Sequence, residues 1–232
     1  MFYFENINKK KILRSDMIQN ANAFFTTRES AINENEQLII NYLGVKKLIY
    51  PQQTHSGNIQ IVEKNKFNYP NTDALILTIP EYAIFLNFAD CTPIILYDTK
   101  QNIGAICHAG WRGSVKKIAP KTIQKMIEDF NTKPENVTAL IGPAISSCCY
   151  NVGEEVFEKL KITVKNFNNL YKISDNNFFV DLKSINSQQI RELGVKNIDI
   201  CPYCTSCDNN YFFSYRKENG TTNRHNAVLK LA

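Results

Sequence analysis

Hydrophobic positions along this chain come mostly in short runs, broken by polar residues and turns. Residues 48–50 and 58–62 read as strands on either side of a turn at His55-Ser56-Gly57. Residues 74–78, 83–88 and 93–97 are apolar runs of strand length. Residues 103–108 form a further strand that enters a turn at Gly110–Gly113. The spacing then becomes helical. Val115, Ile118, Ala119, Thr122, Ile123, Met126 and Ile127 predict one helix over 115–130, stopped by Asn131 and Pro134. Residues 137–141 predict a strand, 153–160 a short helix, 178–180 a strand, and 182–193 a helix closed by Gly194. Residues 197–200 and 211–214 predict two more strands. The mixture predicts one α/β or α+β domain over residues 1–232, rich in sheet. No repeat or Pro/Gly-rich break divides it.

Composition narrows the class. The chain has 232 residues, 44% hydrophobic and 21% charged, an ordinary globular balance. A chain of this length buries roughly 70–75% of its unfolded surface and needs no disulfide or metal merely to fold. The net charge is +5, with no basic block beyond Lys9-Lys10-Lys11. That reads as a lysine-rich solvated surface, not a nucleic-acid footprint. No apolar stretch approaches the ~18 residues of a membrane span, and residues 1–6 do not read as a secretory signal. Seven cysteines, an odd number, suit a reduced, cytoplasmic protein. Asparagine is frequent throughout and reads as a compositional bias.

The candidate chemistry centres on two of the three histidines. His55 lies in Gln53-Thr54-His55-Ser56-Gly57, and His108 in His108-Ala109-Gly110-Trp111-Arg112-Gly113. The second segment also holds the only tryptophan and two of nine glycines. Cys91 stands between them at a junction of two apolar strands. Singly, such a histidine is a hydrogen-bonded surface residue and such a cysteine a small buried hydrophobe. Together, two imidazoles and a thiolate at three strand-to-loop junctions suit zinc, with a fourth position open. Arg112, near a helix start, is a candidate anion ligand aided by turn amides and the helix dipole. Cys201, Cys204 and Cys207 carry two overlapping CxxC spacings. A four-ligand site there needs a further donor, with His225 the remaining histidine, so they are read as buried, reduced thiols. Cys148 and Cys149 are read as packing.

These motifs occur in order with Asp73-Ala74-Leu75, Ile141-Gly142-Pro143-Ala144-Ile145, Cys149-Tyr150-Asn151-Val152-Gly153 and Phe213-Ser214-Tyr215-Arg216. In this the chain resembles the YfiH-like laccase-domain family from about Gln52 onward. Members have been called polyphenol oxidase, peptidoglycan editing factor and purine nucleoside phosphorylase. The resemblance implies a four-layer α/β/β/α sandwich and one zinc ion held by His55, Cys91 and His108. It implies phosphorolysis of adenosine, inosine and methylthioadenosine with inorganic phosphate as co-substrate, and adenosine deamination by some members. In that reading Arg112, or Arg216, holds phosphate, and Asp90 or Asp73 shuttles protons. Purine nucleosides and phosphate are then the partners, with no nucleic acid or membrane. The chain departs from the family near its end, where Thr222-Asn223-Arg224-His225 replaces Thr-Gly-Arg-Met. His225 is an extra imidazole, read as tuning substrate choice or as exposed. Two other readings are an editing role on cell-wall precursors and a cysteine hydrolase with Cys91 as nucleophile and His108 as base. A four-copper oxidase needs about ten histidines, and three are present.

Overall fold

The apolar runs become inner strands of two six-stranded sheets in the computed structural model, which describes residues 1–232. The first sheet holds β1 (Phe2–Ile7), β2 (Lys10–Ser15), β3 (Asn22–Thr26), β15 (His225–Lys230), β7 (Tyr82–Phe88) and β4 (Lys47–Ile49), in that spatial order. The second runs β14 (Asn197–Ile200), β10 (Val137–Ile141), β8 (Thr92–Asp98), β9 (Ile103–Ala109), β6 (Ala74–Leu77), β5 (Ile59–Ile61). Their inner faces share a core that includes Leu13, Phe25, Leu75, Leu86, Ile95, Tyr97, Ile106 and Leu140. Two glycines permit this contact. A methyl at Gly142 would sit 2.3 Å from the Phe25 ring, and one at Gly104 would sit 2.5 Å from Leu229.

Helices cover both outer faces. Helix α1 (Ile32–Leu43) buries Ile32, Ile39 and Leu43 on the first sheet beside Phe24 and Phe85. Helix α3 (Ile118–Phe130) buries Ile118, Ala119, Ile123 and Met126 on the second beside Ile76, Ile94 and Ala105, with Ile190 of α5 (Leu182–Arg191). This is the expected α/β/β/α sandwich. A small sheet of β11 (Asn151–Val152), β13 (Asn177–Val180) and β12 (Tyr171–Ser174) packs with α4 (Glu154–Lys161) around Phe157 and Leu160.

Three expectations are corrected. The helix predicted over 115–130 is two: α2 (Trp111–Val115) and α3, separated by Lys117 at φ 55°. Pro120 explains the break, because it cannot donate to the Lys116 carbonyl one turn back and its ring would strike it. Residues 211–214 are not a strand. Their backbone closes onto the Asp208 carbonyl, which accepts from Tyr211 and Phe212 N–H groups at 2.9 and 3.2 Å. Asparagine is more than a bias. Eight asparagines, Asn8, Asn65, Asn71, Asn102, Asn131, Asn169, Asn176 and Asn219, hold left-handed backbone. In a chain with only nine glycines, asparagine supplies most of the turns that glycine otherwise makes. Asn223, at the departure from the family motif, is not among them.

His225 is neither exposed nor in the site. It is fully buried in β15, between the Phe88 and Phe212 rings, and neither ring nitrogen makes a hydrogen bond of normal geometry. Burial pulls its pKa down to about 3, and the nearby Pro143 carbonyl offsets only part of that. The unfolded chain takes up this proton near pH ~6.5 and the folded chain only near pH 3. Between those values the unfolded state binds more protons, so stability falls as pH falls. At pH 4.5 the loss from this one residue is about 3 kcal/mol. His225→Met should remove it, and urea unfolding at pH 7 and pH 4.5 measures the difference. Equal acid sensitivity in both proteins would mean that His225 is not the group responsible.

Candidate metal centre and its pocket

The site lies at one end of the sandwich, where the chain passes between the two sheets. The turn from β7 to β8 leaves the first sheet and enters the second, and it carries Asp90 and Cys91. His108 is the second-last residue of β9, and His55 sits in the loop after β4. The ligand atoms of His55, Cys91 and His108 all lie within 4.8 Å of one another. The Cys91 Sγ is 3.9 Å from His55 Nε2. His108 is buried, Cys91 half-buried and His55 exposed, so the cluster opens to solvent on one side.

Asp73, just before β6, organises the cluster. It is fully buried. One oxygen, Oδ1, lies 2.7 Å from His108 Nδ1 and accepts the His55 backbone N–H at 3.0 Å. Oδ2 accepts the Ser56 N–H and Ser56 hydroxyl, both at 2.6 Å, and the Thr54 N–H at 3.2 Å. One carboxylate thus orients a histidine and clamps the loop carrying the other. Burial pushes its pKa up, but the hydrogen bonds from His108 and Ser56 outweigh it and hold the group well below the usual carboxylate range. With Nδ1 committed to Asp73, His108 turns Nε2 toward Cys91. Burial opposes charge on both Cys91 and His108, yet their mutual attraction prevails and favours thiolate and imidazolium. Such a thiolate is also the form that binds a metal.

Local backbone conformation serves this geometry. His55 has φ 59° and Asp90 φ 83°, both in the left-handed region that costs non-glycine residues energy. The Asp73 clamp and a bond from Lys116 Nζ to the His55 carbonyl, 2.9 Å, hold the first. Asp90 is held at both ends of its carboxylate, by the Thr205 hydroxyl at 2.6 Å and the Arg216 N–H at 2.7 Å. Each oxygen thus has a partner in the scaffold, and these bonds brace the turn that carries Cys91. Gly110 packs against that turn. A methyl there would lie 2.6 Å from the Cys91 sulfur.

A pocket of about 630 Å³ opens over the cluster, within the ordinary range for small-molecule sites. Three arginines line it: Arg112, Arg216 and Arg224. Arg112 lies over the Trp111 ring, and Arg216 donates to Asn151 Oδ1 at 2.6 Å. Tyr150, Tyr215 and Gln53 also line it. Asp90 is the only carboxylate in the lining, so the pocket suits an anion. Its basic character comes from side chains, because α2 is only five residues long and carries little of the expected helix dipole. Sequence alone singles out Arg112 and Arg216 and names Arg224 only within the motif near the chain's end, because it is remote along the chain from both histidines of the cluster. Tyr150 and Tyr215 likewise stand only within motifs.

The model of a family described as multi-copper polyphenol oxidoreductase laccase matches residues 16–232. A purine nucleoside phosphorylase of Clostridium acetobutylicum is 31% identical over 212 residues, covering 87% of this chain and 88% of that one. A protein named adenosine deaminase, from an unknown prokaryotic organism, is 31% identical over 183 residues, covering 73% of this chain and 70% of that one. The crystal structure of the YfiH protein of Bacillus licheniformis superposes with a TM-score of 0.91 at 25% identity, covering 99% of both chains.

Proposed function

This chain belongs to the family described as multi-copper polyphenol oxidoreductase laccase, and from that premise we propose that it is a zinc-dependent purine nucleoside phosphorylase. The observation that carries the reading is the pocket, in which three arginines and two tyrosines surround a cluster of two imidazoles and a thiolate. Similarity to a protein named purine nucleoside phosphorylase supports it. The copper chemistry in the family's description does not suit this chain. It has three histidines in all, and one of them is buried in β15 away from the pocket.

The donor set fits zinc. His55, Cys91 and His108 offer two nitrogens and one sulfur at one point, and His108 has the carboxylate partner that metal-bound histidines commonly keep. Zinc held there supplies Lewis acidity beside the pocket. The chain's own residues do the rest. Arg112, Arg216 and Arg224 bind phosphate and offset its charge. A phosphate oxygen forms a bond to C1′ as the C1′–N9 bond breaks, and the electron pair leaves with the purine, which takes up a proton. The Tyr150 and Tyr215 rings offer faces for the purine. Burial raises the Tyr150 pKa, so its phenol stays protonated and able to donate a hydrogen bond. Asp73 holds His108 in one tautomer and does not reach the substrate.

Incubation with adenosine, with and without phosphate, tests this reading by chromatography of the products. Adenine and ribose 1-phosphate should appear only when phosphate is present. Inosine formed without phosphate is the outcome favoured by the similarity to a protein named adenosine deaminase, and would make deamination the activity. Absence of both products would overturn the purine reading. The aligned Asp73, His108 and Cys91 also match a cysteine hydrolase in outline. Rapid alkylation of Cys91 in the zinc-loaded protein would favour that alternative, whereas protection by the metal supports zinc ligation.

A further inference from the structure

We propose a second metal site, a four-cysteine zinc centre built from Cys148, Cys149, Cys204 and Cys207, separate from the His55–Cys91–His108 cluster. The four sulfurs all lie within 4.8 Å of one another. Cys207 Sγ is 3.4 Å from Cys149 Sγ and 3.6 Å from Cys148 Sγ. Four thiolates at about 2.3 Å from one tetrahedral zinc stand roughly 3.8 Å apart. A disulfide needs ~2.05 Å, and all seven cysteines are free. An iron–sulfur cluster is too large for this space, because its cysteines bind separate iron atoms. A single soft divalent cation matches both the spacing and the donor type.

The fold explains how residues 55 positions apart meet. Strands β10 and β14 are parallel neighbours, so both leave the sheet at the same end and their following segments run side by side. The Ala144–Cys204 bridge and a bond from the Thr205 N–H to the Ala144 carbonyl, 3.2 Å, keep those segments in register. The Cys149 and Tyr150 N–H groups close a turn onto the Ser146 carbonyl at 2.9 Å, which presents the adjacent cysteines together. The Ser146 N–H donates to Cys204 Sγ at 3.3 Å, the kind of amide–sulfur contact that supports a metal-bound thiolate. Cys204 is buried while Cys148 and Cys207 are exposed, so the site has a floor and an entry path. Cys201 takes no part; it is buried in the intersheet core. The expectation of buried thiols holds for Cys201 and Cys204 but not for Cys207, and Cys148 is exposed, not packing.

The centre has a structural task. It joins the segment that carries Tyr150 and Asn151 to the segment that carries Thr205. Thr205 holds one oxygen of Asp90, and Arg216 holds the other while donating to Asn151. The ion would thus cross-link two loops that brace the turn bearing Cys91. Binding exchanges the thiol protons for the cation, and no oxidant or reductant is involved.

Zinc content decides the matter. Full-length protein purified under reducing conditions with zinc should hold two ions per chain. Cys148→Ser/Cys207→Ser should hold one, as should Cys91→Ser, and the triple variant none. Zinc should still raise the melting temperature of Cys91→Ser but not of the triple variant. Should the double variant fail to fold, cobalt-loaded Cys91→Ser provides the readout, since four-thiolate tetrahedral cobalt has a distinct thiolate charge-transfer spectrum. One ion in the wild type that disappears in Cys91→Ser, or a reduced-purified protein two hydrogens lighter from a disulfide, would overturn the proposal. Neither result depends on whether adenosine is a substrate.

Discussion

His108→Ala should empty the cluster of His55, Cys91 and His108 and cut phosphate-dependent release of base by roughly 10³-fold or more. Lewis-acid stabilisation contributes several kcal/mol, at about 1.4 kcal/mol per tenfold in rate. The variant also removes a buried ring and leaves the Asp73 carboxylate without its imidazole partner, which costs about 3–5 kcal/mol of stability. Low activity alone would therefore not separate lost chemistry from lost folding. Cys91→Ser separates them, because Cys91 is half-buried and His108 keeps its Asp73 partner when the thiol is gone. Without metal it should unfold at close to the wild-type urea concentration, and it should bind zinc at this cluster far more weakly and lose activity to a similar degree. Wild-type turnover by Cys91→Ser without bound metal at this cluster would remove zinc from the mechanism.

Asp73→Asn tests the residue behind the ligands. The substitution preserves shape but removes the charge and turns one acceptor into a donor. Asp73 accepts from the Thr54, His55 and Ser56 backbone and the Ser56 hydroxyl, as well as pairing with His108. The new amide must therefore face at least one donor that has no alternative partner. Such a buried mismatch costs about 1–3 kcal/mol, and loss of a carboxylate behind a metal-bound histidine weakens metal binding about 10–100-fold. Zinc competition against a chelator and urea unfolding of the metal-free protein measure the two effects separately. A variant with unchanged zinc affinity but reduced stability would limit Asp73 to holding the loop. Unchanged values for both would mean that the clamp is not what positions His108.

Local pattern was enough for much of this protein. The central strands β6 to β10 are apolar over nearly every residue, so length and flanking turns identify them without tertiary information. Helices α3 to α5 were legible for the same reason, since each places apolar residues at helical spacing. The N-terminal strands β1 to β3 were not. Their apolar and polar residues are mixed, β1 and β2 join through Asn8 and Lys9 in left-handed conformation, and Phe4 packs on Tyr203 and Tyr211 far along the chain. Strand β15 carries His225 and Asn226 into the interior. Asn226 is tolerated there because it bonds with Thr26, Ile32 and Asn87, and no local rule anticipates those partners.

The candidate site divides in the same way. Residue type alone singled out His55, Cys91 and His108, because imidazoles are scarce in this chain and thiolate chemistry is specific. Their convergence, the Asp73 clamp, the role of Asp90 as a brace and the place of Arg224 in the pocket were decided by tertiary structure. So was the meeting of Cys148 and Cys149 with Cys204 and Cys207, which depends on the parallel pairing of β10 and β14. The physical reason is range. Hydrophobic period and turn chemistry act over a few residues and are written along the chain. A ligand set, a buried carboxylate's partners and a pocket's charge depend on which distant strand ends share one edge of the sandwich.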